Sequence, residues 1–193
     1  MSESPKLSTK IIVAGGFGAG KTTFIGAISE VPPVRTEGAV TAASTGVDDL
    51  SATPDKTSTT VAMDFGRITL DNDLTLYLFG TPGQSRFMFM WDDLARGALG
   101  AVILADTRRL AESFHAIDYF ERQYPLPFVL ALNEFEGAER YPEETLRDAL
   151  DLQPHIPIVD CDARDRESVR GVLVSLVQHA MVLSQSQGRH LVH

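Results

Sequence analysis

One cysteine, Cys161, is all the thiol chemistry this 193-residue chain holds. A lone cysteine excludes an internal disulfide and a cysteine-built zinc site. The five histidines, His115, His155, His179, His190 and His193, share no metal-ligand spacing. No apolar run approaches the length that spans a bilayer. The opening Met-Ser-Glu-Ser-Pro-Lys lacks an apolar signal core and a glycine at the second position. The closing Gly-Arg-His-Leu-Val-His carries no prenylation motif. These absences lead to the expectation of a cytoplasmic protein with no lipid anchor of its own. A basic surplus is missing too. The formal net charge of −9 argues against nucleic acid or an anionic membrane surface as the main partner. Length and composition fit one globular domain. The expected division is a polar lead-in over 1–9, a single domain over 10–183, and a polar tail over 184–193 that frays.

Against this background one local pattern stands out. Gly15-Gly16-Phe17-Gly18-Ala19-Gly20-Lys21-Thr22 fits GxxxxGK[ST], the phosphate-binding P-loop. The apolar run Ile11-Ile12-Val13-Ala14 precedes it and a helix-compatible run, 22–29, follows, which is the strand–loop–helix context the motif requires. Glycines let the backbone turn its N–H groups onto a phosphate chain, and the helix N-terminus adds a positive dipole end. Lys21 can reach the β- and γ-phosphates, and Thr22 can offer its hydroxyl to Mg²⁺. Thr23, the next residue, joins the expected nucleotide-binding set.

Residues 31–58 carry no hydrophobic period and are expected to be a long functional or disordered segment. Two extended stretches, 60–70 and 74–79, flank the turn signal Asp71-Asn72-Asp73. A short helix near 91–96, a buried strand over 100–105 and helical spacing at Leu110, Phe114, Ile117 and Phe120 come next. A strand over 128–132, a helix over 143–150, a last strand over 156–159 and a closing helix with its apolar face on Val169, Val172, Leu173, Leu176, Val177 and Ala180 complete the chain. Alternating strands and helices imply a mainly parallel sheet covered on both faces.

Other motifs narrow the P-loop's chemistry. Gly80-Thr81-Pro82-Gly83-Gln84 stands at the end of the third strand, Asn133-Glu134-Phe135-Glu136 after the fifth, and Cys161-Asp162-Ala163-Arg164 after the sixth. An asparagine can hydrogen-bond a purine's Hoogsteen edge, and a carboxylate can accept from guanine's N1–H and exocyclic amine. In this order the motifs resemble those of Ras-like GTPases, and the resemblance runs from residue 11 to about 180. It is similar most of all to the bacterial Ras-like GTPases of the actinobacterial conservon type, relatives of the bacterial polarity GTPases.

The resemblance implies a Ras-like G domain of the α/β P-loop class. Its sheet would be six-stranded and mostly parallel, with one antiparallel edge strand and helices on both faces. It implies GTP/GDP and Mg²⁺ as ligands and slow, partner-stimulated GTP hydrolysis. Thr22 and Thr60 would hold Mg²⁺, with Thr59 an open alternative to Thr60. Lys21 would serve the phosphates, the Gly83 N–H would meet the γ-phosphate, and Gln84 would orient the attacking water. Asn133 and Glu136 would read the base, and Asp162, Ala163 and Arg164 would form the loop whose alanine N–H meets the guanine oxygen. A roadblock-domain protein and a sensor-kinase-like membrane complex are the implied partners, with recruitment to the membrane through them.

The pattern also breaks. Gly80 stands where the family has a Mg²⁺-supporting aspartate, Phe17 occupies a glycine position of the P-loop, and Glu134 replaces a lysine that packs over the base. Two further readings therefore accompany the switch: a nucleotide-bound scaffold with negligible turnover, and a P-loop ATP-dependent phosphotransferase. Arg108-Arg109 is taken as a solvated pair near a helix start, Arg35 as a surface arginine, and Cys161 as a packing residue. The apolar run Phe87-Met88-Phe89-Met90-Trp91 is divided between core packing and a partner surface.

Overall fold

A computed structural model gives the fold, and it describes residues 7–32, 34–41, 58–71, 74–83 and 85–189. Its centre is β1 (Leu7–Gly15), whose residues Ile11, Ile12, Val13 and Ala14 are fully buried. Alternation along a strand sends neighbours to opposite faces. Ile11 and Val13 accordingly join one core, with Phe24, Ile25 and Ile28 of α1 (Lys21–Ile28) and Val169, Val172 and Leu176 of α5 (Arg166–Arg189). Ile12 and Ala14 join the other. There they meet Trp91 and Ala95 of α2 (Trp91–Ala95), Ala116 and Ile117 of α3 (Phe114–Asp118), and Leu150 of α4 (Glu143–Leu150).

The remaining strands are β2 (Val34–Thr41), β3 (Ser58–Asp71), β4 (Leu74–Gly80), β5 (Ala98–Ala105), β6 (Phe128–Asn133) and β7 (Ile158–Cys161). Their order in the sheet is β2-β3-β4-β1-β5-β6-β7. The five strands from β4 to β7 in that order run parallel, and β3 is antiparallel to β4. The expected six strands, five parallel and one antiparallel, are present. With β2, the sheet has seven strands, and β3 is not its edge.

That seventh strand corrects the reading of 31–58 as a segment without regular structure. β2 pairs antiparallel with β3 from Val34↔Phe65 to Thr41↔Ser58. An edge strand is held by backbone hydrogen bonds to one neighbour, so it needs no apolar period to form. Residues 42–57 lie outside the described residues, as do Asn72 and Asp73 of the expected turn.

Three other boundaries shift. The last strand begins at Ile158, because Pro157 has no N–H to give a ladder. The helical spacing around 110–120 is met by a 3₁₀ segment (Thr107–Ser113), α3, and a π turn (Tyr119–Gln123), which leaves Phe114 on the surface. Finally, α5 runs on to Arg189, past Ser184 where the polar tail is expected to begin.

Candidate functional site

At the carboxyl end of β1 the chain turns sharply into α1. Gly20 caps that helix with φ 103°, and a Cβ there would run into the Asn133 amide. Lys21 opens the helix and is 9% exposed. Its Nζ donates to the carbonyls of Gly15 (2.9 Å) and Gly16 (2.7 Å), so the P-loop curls around its own lysine. Burial pulls the Lys21 pKa from 10.5 down to about 8, against the opposing attraction of Asp64 and Glu112.

This has a measurable sign. A phosphate chain beside Nζ favours the ammonium form, so binding takes up a proton wherever free Lys21 is neutral. Nucleotide affinity is expected to be flat up to about pH 7 and to fall as pH rises through about 8, approaching tenfold per unit while bound Lys21 stays charged. Titration calorimetry in buffers of different ionisation enthalpy reads the uptake. Affinity constant from about pH 7 to 9.5 would contradict it.

Thr22, one residue on, donates its hydroxyl to Asp64 Oδ2 at 2.6 Å. Asp64 comes from β3, a residue the sequence pattern did not single out. A Cβ on Gly80, at the end of β4, would lie 3.1 Å from Asp64 Cβ and 3.4 Å from its Oδ2. The glycine at the position of the missing aspartate thus makes room for a carboxylate delivered from the neighbouring strand. Thr22 Oγ1 and Asp64 Oδ2 are hard oxygen donors, the set Mg²⁺ takes.

Lys21, Thr22 and Asp64 line a cavity of about 350 Å³ together with Phe17, Thr81 and Gly83. Asp64 is the one carboxylate in that lining among the described residues. The Thr81 hydroxyl is buried and has no hydrogen-bond partner among the described residues, the state of a group that a ligand or water satisfies. Gly83 closes the far wall: a Cβ on it would stand 2.9 Å from Lys21 Nζ and 3.1 Å from Phe17 N. Phe17 itself is 66% exposed at the cavity's rim. Gln84 lies outside the described residues. Thr60 and Thr59 sit on β3 opposite Ala39 and Val40, and their side chains lie outside what is described.

Behind the P-loop, Asn133 ends β6 and is buried. Its Nδ2 donates to Ala19 O and its Oδ1 accepts from Ala163 N, both at 3.0 Å. One amide therefore fastens the phosphate loop, the end of β6 and the loop after β7 to each other, with one Nδ2 proton left over. The Ala163 N–H expected to meet a base is engaged by Asn133. Asp162 and Arg164 pair with each other through Nε (2.8 Å) and Nη2 (2.9 Å), which holds the Asp162 carboxyl below the usual range. Glu136 is exposed, and Glu134 turns outward to an ion pair with Arg140. Burial pushes the Cys161 thiol up to about 11, as suits a packing residue. Of the apolar run after Gln84, Trp91 is buried against Tyr119 and Phe120 while Phe89 is 52% exposed, so the run divides between core and surface.

Residues 13–182 match the family described as conserved hypothetical ATP binding protein. The chain belongs to that family. The matched span takes in the P-loop and the cavity it lines. No curated protein matches the sequence. Among solved structures, the G domain of the T. maritima FeoB iron transporter superposes with a TM-score of 0.59 at 19% identity, covering 90% of this chain and 99% of that one. The cytosolic domain of the same transporter in a GDP form gives 0.62 at 19% identity, covering 92% of this chain and 65% of the longer one. Its apo form gives 0.62 at the same identity over 90% and 64%. At this identity the likeness establishes a shared fold, that of a P-loop G domain.

Proposed function

We propose that the chain is a guanine-nucleotide switch that hydrolyses GTP slowly with Mg²⁺ and acts through partner proteins. The observation that carries this reading is the closure of two separate segments on one cavity. The loop after β4 stands against Lys21 and Phe17 at Gly83, so a γ-phosphate in the cavity touches both. A segment so placed can sense whether the third phosphate is present, which a switch requires.

Mg²⁺ held near Thr22 and Asp64 supplies charge neutralisation at the phosphates when bound. Lys21 and the P-loop amides neutralise the β- and γ-phosphates, the Gly83 N–H meets the γ-phosphate, and Gln84 places the water. Catalysis is then positioning plus electrostatics. Phe17 at the rim crowds the space that Gln84 needs as well as that of an arginine finger, which keeps basal turnover slow. The bacterial conservon-type resemblance supports a roadblock-domain protein and a membrane complex as the partners, and rests on the motifs alone.

Base identity is the point of tension. The family description names ATP, whereas the Glu136 carboxylate can accept from guanine's N1–H and exocyclic amine, donors that adenine lacks, with Asn133 beside it for the Hoogsteen edge. Competition against radiolabelled GDP separates the two. GTP and GDP are expected to displace it at lower concentration than ATP and ADP. Asn133→Ala is expected to remove most of the preference and, by cutting the tie between Ala19 and Ala163, to weaken every nucleotide by about 1–3 kcal/mol. Equal competition by ATP in the unmodified protein would overturn the guanine reading in favour of an ATP-dependent enzyme.

A further inference from the structure

We propose that Arg109 is a second phosphate-binding cation of this site, reaching the nucleotide across the outer side of the P-loop at Gly18 and leaving Glu112 to do so. The proposal rests on the nucleotide-site reading above. It starts from a shortage of positive charge. A nucleoside triphosphate carries more negative charge than Lys21 and one Mg²⁺ offset together, and the base-side loop has Glu134 where a lysine stands in the family it resembles.

The segment after β5 holds two arginines that differ in how they are held. Asp106, 4% exposed, caps the 3₁₀ segment by accepting from the Arg108 N–H at 3.0 Å. Its two oxygens also take Arg108 Nε (3.0 Å) and Nη2 (2.9 Å), a bidentate pair, and the guanidinium lies 4.3 Å over the Phe135 ring. Arg108 is therefore a fixed brace. Arg109 has three longer contacts: 3.4 and 3.3 Å to the already occupied Asp106 Oδ2, and 3.3 Å to Glu112 Oε1. Charge-assisted bonds of full strength are shorter, about 2.7–2.9 Å. A guanidinium held this loosely, with a side chain 42% exposed, re-orients at little cost.

Its position points the same way. Arg109 departs from helical geometry inside the 3₁₀ segment, with φ −141° and ψ 46°. That kink sets its guanidinium against the P-loop: a Cβ on Gly18, whose φ is +73°, would meet Arg109 Nη2 at 3.2 Å and nothing else. Glu112 is seated on the same loop, where a Cβ on Gly16 would overlap Glu112 Cβ at 2.6 Å. A carboxylate there repels phosphates and occupies Arg109. A bound triphosphate offers Arg109 a stronger acceptor, and the exchange of one for the other couples the P-loop to the segment leading into α3.

The test compares GDP with a non-hydrolysable GTP analogue, both with Mg²⁺, by titration calorimetry on the full chain. Arg109→Ala is expected to weaken the triphosphate by about tenfold or more and the diphosphate by about threefold or less, the loss of one charge-assisted contact. Arg109→Lys recovers part of that loss. Arg108→Ala shifts both nucleotides alike, and Glu112→Gln tightens the triphosphate by about threefold, having removed the competing charge. Equal losses for both nucleotides in Arg109→Ala, or an unchanged ratio, would show a brace like Arg108 and overturn the proposal. Should Arg109→Ala fail to fold, Glu112→Gln decides alone: unchanged or weaker triphosphate binding overturns it. An unmodified protein that binds no nucleotide sinks the site reading itself. If it prefers adenine, the same ratio is read with ADP and an ATP analogue.

Discussion

Replacing Lys21 by alanine is expected to reduce nucleotide affinity by about a hundredfold or more. The side chain is all but buried, and among the described residues its ammonium is the one cation that lines the phosphate cavity. A hydrogen bond to a charged group is worth about 1.5–3 kcal/mol, and beyond its bonds to Gly15 and Gly16 the Lys21 ammonium has one N–H left to offer a phosphate chain. The bonds from Nζ to the Gly15 and Gly16 carbonyls add to this, because without them the loop loses the contact that shapes it. Titration calorimetry with GDP measures the affinity, and circular dichroism confirms that the sheet is intact. Affinity within about threefold of the unmodified protein would remove the P-loop cavity from consideration as the nucleotide site.

The second large effect is expected at Asp64. Mg²⁺ should slow nucleotide release from the unmodified protein, and Asp64→Ala should diminish that effect by about 10–100-fold, the scale on which a lost supporting ligand lowers metal affinity. The warrant is geometric. Asp64 Oδ2 lies 2.6 Å from the Thr22 hydroxyl, and its Cβ lies 3.1 Å from the point where a side chain on Gly80 would begin. Asp64→Asn separates charge from hydrogen bonding, since the amide oxygen can still accept from Thr22. It should behave like the alanine variant in a release-rate measurement with and without EDTA. Full Mg²⁺ dependence in Asp64→Asn would assign Asp64 to bracing Thr22 and leave metal support to other groups.

What could be read from the sequence was whatever is local in it. The P-loop, the apolar strands and the closing helix declare themselves within windows of a few residues, and apart from β1, which starts at Leu7 ahead of the expected Ile11, the expected strands appear within two residues of their places. The missing aspartate at Gly80 read as a gap because a motif is contiguous in sequence while a site is contiguous in space. Asp64 is separated from Thr22 by 42 residues and reaches it only because β3 folds back antiparallel on β4. β2 escaped for a related reason: its partner, β3, lies beyond residues 42–57, and a ladder of backbone bonds leaves no hydrophobic period behind. Arg108 and Arg109 read as a solvated pair and both are exposed, but nothing in the local pattern announces that a buried Asp106 holds them.

Trp91 has a practical consequence of its own. It is the chain's single tryptophan, and its ring is packed edge-on against Tyr119 and stacked on Phe120. It lies in the same small cavity wall as Gly15, Gly16, Gly83 and Glu112, with His115 beside them. Its indole N–H is buried without a partner among the described residues. An indole in such a place is sensitive to small changes in local polarity and to a nearby protonated imidazole. Excitation at the red edge of the protein's absorbance therefore addresses one site without a label, and wavelength and lifetime of emission give a continuous optical record of the junction between the P-loop, the loop after β4 and α3.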